Sequence, residues 1–426
     1  MNERRARRRD LRRGRRRIHA PRHVNTILRN IVGPTLRWLF HIETENRALV
    51  KRLKGPYLLI ANHACVLDPF MINCQIPAPV HYVVSDSNFR SRLVDFALGL
   101  VGSIPKTKAV SDLETVKNIV KVKAHRGIIG LYPEGQNTWD GHTLPIYPAT
   151  AKLVKSLKVP VVAARVQGAF LSLPRWARSF RRGRIVISFT QVFTVEELRA
   201  ATLEQVHERL VSALEHDESE WQRSHRVIYR GKHRAEYLEI VLCVCPHCHT
   251  IGTLASEGDH FGCNACGYRV RMTARGFFTA ASDHQPAHDS IRGWNLWQTD
   301  YLKRCVEQYA QSDACDPLFE EPRVIAKTGY KSRPLEPLAN GRLQFFGDRI
   351  RLLPETGGAA IDFPIAGIEG INVQNSEHLE FYLGGDLFKM TIDNRRGNTY
   401  KWHLAVKHLQ SLGSSGRESA AGARGA

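Results

Sequence analysis

Between about residues 55 and 192 the chain alternates short apolar runs with segments of helical periodicity, and this alternation restricts the fold more than any other feature. Residues 57–61, 81–85, 127–131, 160–166 and 184–189 read as buried strands. Residues 111–125 and 149–157 carry helical periodicity, and 194–216 reads as one long closing helix, capped by Thr194 with Glu197 three residues on. Strands alternating with helices pack as layers, so the expectation is an α/β domain over residues 55–216.

The flanks are of a different kind. Residues 1–23 read as a polybasic tail, or as sequence upstream of the true start. Over 24–54 the apolar residues Val24, Ile27, Leu28, Ile31, Leu39 and Ile42 recur near helical spacing, with a kink expected at Gly33-Pro34. Such an amphipathic helix either lies in a membrane interface, with Arg29 and Arg37 towards anionic headgroups, or packs on the domain core. After the α/β domain come a polar linker (217–240), a Cys-rich ribbon (241–275) and a helical connector (276–320) with Trp294, Trp297 and Tyr301 as anchors. Short strands split by turns such as Gly347-Asp348 and Gly384-Gly385-Asp386 then fill 321–412, closed by one helix. That order resembles a pleckstrin-homology-like antiparallel β barrel with one helix. Residues 413–426 read as a flexible tail.

Charge narrows the partners. There are 61 Lys and Arg against 41 Asp and Glu, a net charge of +20, and residues 1–17 hold ten Arg against Glu3 and Asp10. The rest of the chain is therefore basic too, and an anionic partner is expected: a phospholipid surface, an acidic carrier protein or nucleic acid. No apolar run reaches 18 residues, which argues against a spanning helix. The N-terminus lacks the pattern of a secretory signal. Nine Cys, four of them in paired Cys-x2-Cys spacing, point to metal in a reducing compartment rather than disulfides, hence a cytoplasmic location, peripheral on the cytosolic face of a membrane.

Chemistry concentrates at strand ends. The first strand runs into Asn62-His63-Ala64-Cys65-Val66-Leu67-Asp68-Pro69. A His where a strand stops faces a cleft rather than a core. If a loop returns Asp68 to the imidazole, the carboxylate fixes the tautomer and the other ring nitrogen can take a proton from an alcohol. Asp68-Pro69 is also a good helix start in its own right, and the same His-x4-Asp spacing recurs at His284 and Asp289 in a polar segment. Spacing alone therefore decides nothing. The context is Gly102-Ser103-Ile104-Pro105-Lys106-Thr107-Lys108, a small-residue turn with two ammonium groups, then Tyr132-Pro133-Glu134-Gly135-Gln136-Asn137 at another strand end, then the apolar run from Val159-Pro160 to Arg165.

These four blocks, in this order, resemble the glycerolipid acyltransferase family, which includes lysophosphatidate and glycerol-phosphate acyltransferases; the likeness covers roughly residues 55–215. The resemblance implies a mixed-sheet α/β core, with His63 as general base and Asp68 as its orienting partner. It implies Glu134 and Gly135 in the acceptor site and Lys106 or Lys108 on a phosphate. The reaction implied is direct acyl transfer from acyl-CoA or acyl-carrier protein to a hydroxyl of a lysophospholipid-like acceptor, with no catalytic cofactor. Many family members have Arg where this chain has Asn137, and an amide cannot pair a phosphate as Arg does. Either Lys106, Lys108 or Arg165 supplies the charge, or the acceptor is not a simple glycerol phosphate. Cys65 reads as a small filler between the two catalytic residues. The stretch Leu173 to Arg184, five Arg around Trp176 and Phe180, reads as a membrane or acyl-donor patch or as a solvated basic loop.

Cys245, Cys248, Cys263 and Cys266 form two Cys-x2-Cys pairs fourteen residues apart, the spacing of a closed, structural zinc ribbon, with Gly267 supplying a turn. Four thiolates leave His247 and His249 outside the ligand set. Two rival functions stand beside the acyltransferase. One is a nucleic-acid-binding ribbon protein, disfavoured by the absence of Lys or Arg from His249 to Gly262; the other is a non-catalytic lipid-binding adaptor, disfavoured by an intact His63 and Glu134.

Overall fold

A computed structural model describes residues 20–107, 113–281, 283–330, 333–392 and 396–422. The polybasic tail as far as residue 19 and Lys108 lie outside the described residues. The chain divides into two units, Met1–Pro174 with Arg181–Val227, and Arg175–Phe180 with Ile228–Ala426.

The first unit is built on a seven-stranded mixed sheet in the order β1-β7-β6-β2-β5-β3-β4. Its strands are β1 Ile42–Glu45, β2 Tyr57–Ala61, β3 Val80–Ser85, β4 Ile104–Lys106, β5 Ile128–Leu131, β6 Val161–Gln167 and β7 Ile185–Phe193. Strands β6, β2, β5, β3 and β4 are parallel to their neighbours, while β7 is antiparallel to β6 and carries β1 parallel to itself. All five residues of β2 are buried, as a strand with parallel neighbours on both sides requires. One face packs Leu58, Ile60, Ile129, Val161 and Ala163 against Ile119, Val122, Val154, Leu157, Val206 and Leu210 of the covering helices. Each of the Val, Leu and Ile side chains among these contributes about 1.5–3 kcal/mol on burial.

The five expected strands are present, and β1 and β4 join them. Residues 24–54 are therefore more than an interfacial helix. Helix α1 (Arg22–Ile27) runs through a π turn (Leu28–Val32) into α2 (Gly33–Phe40), followed by β1 and α3 (Arg47–Arg52). Pro34 has no N–H to return to the preceding turn, and the helix widens just before it, with the Gly33 N–H bonding Leu28 O. The helix docks on the unit: Asn25 bonds Asn73 and Pro77 O, Arg29 bonds Pro77 O, and Arg37 bonds Gln75. Ile27, Ile31 and Trp38 nevertheless remain exposed. After β2 come α4 (Asp68–Asn73), a 3-10 turn (Asp86–Arg90), α5 (Arg92–Leu100), α6 (Leu113–Ala124), α7 (Ala149–Leu157) and α8 (Ala169–Ser172).

The single closing helix is two, α9 (Val195–Ala200) and α10 (Leu203–Leu214). Thr194 with Glu197 forms the expected capping box, and Thr202 with Gln205 forms a second that restarts the helix after Ala201. Residues 217–240 are not a free linker. Asp217 caps α11 (Glu218–His225), whose Trp221 and Gln222 are buried, and Tyr229, Ala235, Leu238 and Ile240 are buried in the second unit. Polar letters around Trp221 conceal a helix with a buried face.

In the second unit β8 (Leu254–Glu257), β9 (His260–Cys263), β10 (Arg269–Met272) and β11 (Phe278–Ala280) form a four-stranded antiparallel sheet, so the ribbon runs past residue 275. Helix α12 (Ile291–Ala310) starts at its Ser290 cap and fixes the ribbon: Trp294 is fully buried among Phe261, Tyr268 and Phe278, and its Nε1 donates to Val244 O at 2.9 Å. Trp297 and Tyr301 are only half-buried. A second antiparallel sheet follows: β12 (Phe319–Gly329), β13 (Glu336–Phe345), β14 (Arg349–Pro354), β15 (Ile361–Pro364), β16 (Glu369–Gln374), β17 (His378–Leu383) and β18 (Asp386–Ile392). Its order is β15-β14-β13-β12-β18-β17-β16, the first strand of the meander pairing with the last. Helix α13 (Thr399–Gly422) places Trp402 against Phe319 and Phe345 and buries Ala405 on the same face. The helix bounds run past residue 413, where the flexible tail is expected to begin.

The Arg-rich stretch from 173 is built into the fold. Trp176 is buried with its Nε1 donating to Arg234 O, Arg175 donates to Ser376, and Arg178 pairs with Glu377. Arg182 stacks on Trp38 and Arg184 grips Glu43 with two nitrogens.

Candidate active site

The residues singled out on the α/β domain follow the carboxyl ends of parallel strands. In register, Ile60 of β2 faces Leu131 of β5, and Ser85 of β3 faces Lys106 of β4, so His63, Lys106 and Glu134 leave from one edge of the sheet. Asn62 sets the exit. Its side chain bonds Val166 of β6 twice, Nδ2 donating to the carbonyl at 2.9 Å and Oδ1 accepting from the amide at 2.7 Å. The amide side chain thus extends the strand pairing by one residue and hands His63 to the loop at a fixed angle.

The loop does return Asp68. His63 Nδ1 lies 3.0 Å from Asp68 Oδ2, and Asp68 is fully buried at the start of α4. The same Oδ2 accepts the Cys65 N–H at 2.9 Å, and Oδ1 accepts the Cys65 thiol at 3.2 Å. A carboxylate that already takes two donors accepts from the ring as well, so Nδ1 carries the proton and Nε2 is left as the base. Cys65 is therefore a donor to Asp68 rather than inert filler. Burial and the neighbouring Asp68 charge push its thiol well up, so it is kept protonated and is no nucleophile. Asp68 is not the N-cap that Asp68-Pro69 suggests: α4 begins at Asp68 itself, its N-cap is Leu67 without a side-chain cap bond, and the Asp68 carboxylate serves the imidazole instead.

Glu134 holds the loop from the other side. Its Oε1 accepts the His63 backbone N–H and its Oε2 accepts the Leu144 N–H, both at 2.7 Å. The Thr138 N–H in turn donates to His63 O at 2.9 Å. Both carboxylate oxygens are thus committed to amides, and burial pushes the Glu134 carboxyl up to about 8 while those two amides pull it down. Gly135 next to it is exposed with φ of +74°, a backbone conformation Gly adopts without strain. The 138–144 loop is clamped by the chain after α10, since the Thr143 N–H donates to His216 O and the His216 N–H to Thr143 Oγ1.

Tyr132 packs on the imidazole, its ring centroid 4.1 Å from that of His63 and 23° from parallel, and Tyr82 stacks behind it at 5.6 Å. Sequence reading did not single out Tyr132 or Asn62, though both sit inside motif blocks. Lys106 is exposed at the end of β4 and Asn137 is half-buried in the loop. Arg165 is spent elsewhere: its guanidinium donates to Ala213 O in the last turn of α10, where a cation offsets the exposed carbonyls. The second His-x4-Asp copy, His284 and Asp289, lies in the second unit, on the segment that packs by the ribbon.

In the second unit Cys245, Cys248, Cys263 and Cys266 have all four sulfurs within 4.8 Å of one another, the single such cluster among the described residues. Cys245 and Cys266 lie 3.7 Å apart, as do Cys248 and Cys263, and the His247 N–H points at Cys245 Sγ. Gly267 turns the second pair at φ of +77°. Donor set and spacing fit a tetrahedral metal centre, and His247 and His249 are exposed.

With the strand-end His–Asp pair, the braced loop and the sheet order in view, a family model described as acyltransferase matches residues 41–167. Among characterised proteins the chain is similar to the 1-acyl-sn-glycerol-3-phosphate acyltransferase of Saccharomyces cerevisiae, with 24% identity over 171 residues, 38% of this chain and 56% of that protein. The chain thus spans just over half the length of that relative. Among solved structures it is similar to the 1-acyl-sn-glycerophosphate (LPA) acyltransferase PlsC of Thermotoga maritima, at 17% identity and a TM-score of 0.37, covering 44% of this chain and 78% of that one.

Proposed function

We propose that the protein transfers a fatty acyl group from a thioester, acyl-CoA or acyl-carrier protein, to a hydroxyl of a lysophospholipid-type acceptor. The observation that carries this reading is the His63–Asp68 pair held at 3.0 Å on a loop whose backbone is fixed by Glu134 and Thr138. His63 Nε2 takes the proton of the acceptor hydroxyl as its oxygen attacks the thioester carbonyl. The tetrahedral adduct then collapses, the C–S bond breaks, and the proton on His63 passes to the leaving thiolate, so no metal and no acyl-enzyme are required. Asp68 stabilises the transient imidazolium and holds its tautomer. The yeast relative's name supports a lysophosphatidate-like acceptor. With Asn137 at the usual Arg position and Arg165 turned to Ala213, Lys106 is the one of the three expected cations that the described residues leave exposed at this edge for a phosphate.

Four thiolates would hold a zinc ion with no open position, so the ribbon's part is structural. The C-terminal sheet with α13 is read as a pleckstrin-like module that binds lipid or a partner. No helix among the described residues is long and apolar enough to cross a membrane. The proposed location is peripheral, at the cytosolic face of an anionic membrane. A panel of lysophospholipid acceptors with labelled acyl-CoA and labelled acyl-carrier protein tests the function. Label should move to at least one acceptor; lipid binding without transfer would favour the adaptor reading, and salt-sensitive nucleic-acid retention without transfer the ribbon reading.

A further inference from the structure

We propose that α5 inserts into the outer layer of an anionic bilayer and seats the catalytic edge of the first unit on the lipid surface. This rests on the acyltransferase reading and names the partner surface of its site. In α5 no residue is buried, and Leu93, Phe96 and Leu100 are 82%, 67% and 37% exposed with Val94 at 42%. Positions 93, 96 and 100 fall on one face of the helix. A nine-residue helix that covers no core gains nothing from its own apolar side chains until something else buries them. Its backbone is nevertheless well made, with Ser103 and Gly102 amides closing on Leu98 O and Gly99 O.

Position and charge identify the occupant. Helix α5 follows the carboxyl end of β3, the edge from which His63 and Glu134 also emerge. The catalytic loop itself exposes apolar groups, Val66 between His63 and Asp68 at 64% and Phe70 just after. Helix α2 lies along α4, with Gly33 close against Cys74, and α1–α2 adds exposed Ile27, Ile31 and Trp38. Residues 20–54 hold seven Arg or Lys against Glu43 and Glu45. Arg29 and Arg37 spend their hydrogen bonds on a carbonyl and on Gln75, not on carboxylates, and so keep their charge. On α5, Arg92 is exposed and Asp95 is half-buried. Apolar side chains with basic flanks suit a bilayer of anionic headgroups. At about 1.5 Å per residue the helix is far shorter than a bilayer core, so it lies in the interface. The sequence reading placed the interfacial element at 24–54; the structure adds α5, whose short apolar run gives no sign in sequence that nothing covers it.

The test uses the full chain and vesicles of phosphatidylcholine with phosphatidylglycerol. Sedimentation should show the Leu93→Asp/Phe96→Asp variant binding at least about tenfold more weakly than wild type. Its transfer to a short-chain, monomeric lysophosphatidate should be unchanged. Independently of any substitution, hydrogen exchange of residues 92–100 in wild type should slow when vesicles are added. Equal vesicle binding by the variant, or no change in exchange at α5, overturns the proposal. So does loss of a wild-type dimer in the variant with vesicle binding intact, which would make this face a contact between copies. Failure of wild type to acylate the short-chain acceptor would instead overturn the acyltransferase reading, whatever the vesicles show.

Discussion

Replacing Glu134 by Gln separates a carboxylate that braces the catalytic loop from one that touches substrate. In the native protein each oxygen accepts one backbone N–H at 2.7 Å, from His63 and from Leu144. Gln offers one oxygen and one NH2 group, so one of these amides must face a second donor. Losing a hydrogen bond to a charged group costs about 1.5–3 kcal/mol, and leaving the buried N–H unpaired adds about 1–3. Part of that strain relaxes through movement of the loop. About 2 kcal/mol reaching the transition state corresponds to a fall in kcat of about thirtyfold. The effect depends on pH in a definite direction. The Glu134 carboxyl is pushed up to about 8, so wild type carries the carboxylate above that pH and takes up a proton below it. A protonated carboxyl keeps one full acceptor oxygen and makes the other a donor, which brings it closer to Gln. The gap between wild type and Glu134→Gln should therefore be widest above about pH 8 and close as the pH falls. Initial rates of labelled acyl transfer across this range, corrected for thioester hydrolysis with the His63→Ala protein, measure it. A ratio that is the same at every pH, or a variant within about threefold of wild type at alkaline pH, would refute the brace.

Tyr132→Leu removes the ring stacked on His63 and should lower kcat by up to about tenfold with little change in KM, whereas Tyr132→Phe keeps the stack and the rate. Thr202→Ala removes the second capping box and should cost about 1 kcal/mol, read as a thermal shift of about 2–4 °C in the unfolding of the first unit. Lys401→Met strands the buried Glu321 carboxylate and should cost about 3–5 kcal/mol in denaturant titration, most of it regained by adding Glu321→Leu. Cys263→Ser should abolish bound zinc by elemental analysis and lower the melting temperature of the second unit, with transfer to a short-chain acceptor retained.

The α/β core was legible because its signal is local. Runs such as 57–61 and 161–164 are apolar and buried throughout, as the middle of a covered sheet requires, and the four Cys keep their ligand spacing whatever surrounds them. What escaped was decided by partners distant in sequence. The four residues Ile42–Glu45 become a strand only because β7 offers an edge, and Arg165 looks like a phosphate ligand until Ala213 O is placed beside it. The site was half legible. Motif order located His63, Asp68 and Glu134, but the roles of Asn62, Cys65 and Tyr132 are properties of geometry. So is the fact that both oxygens of Glu134 are already occupied by amides.

The central claim is that His63, oriented by Asp68, takes the acceptor proton. The direct measurement is single-turnover transfer of a labelled acyl group from acyl-CoA to lysophosphatidate by wild type, His63→Ala and Asp68→Asn, each shown to be folded by circular dichroism. Wild type should transfer without a labelled protein intermediate, His63→Ala should fall to the uncatalysed rate, and Asp68→Asn should fall by about 10²–10⁴. Transfer by His63→Ala at the wild-type rate would contradict the account.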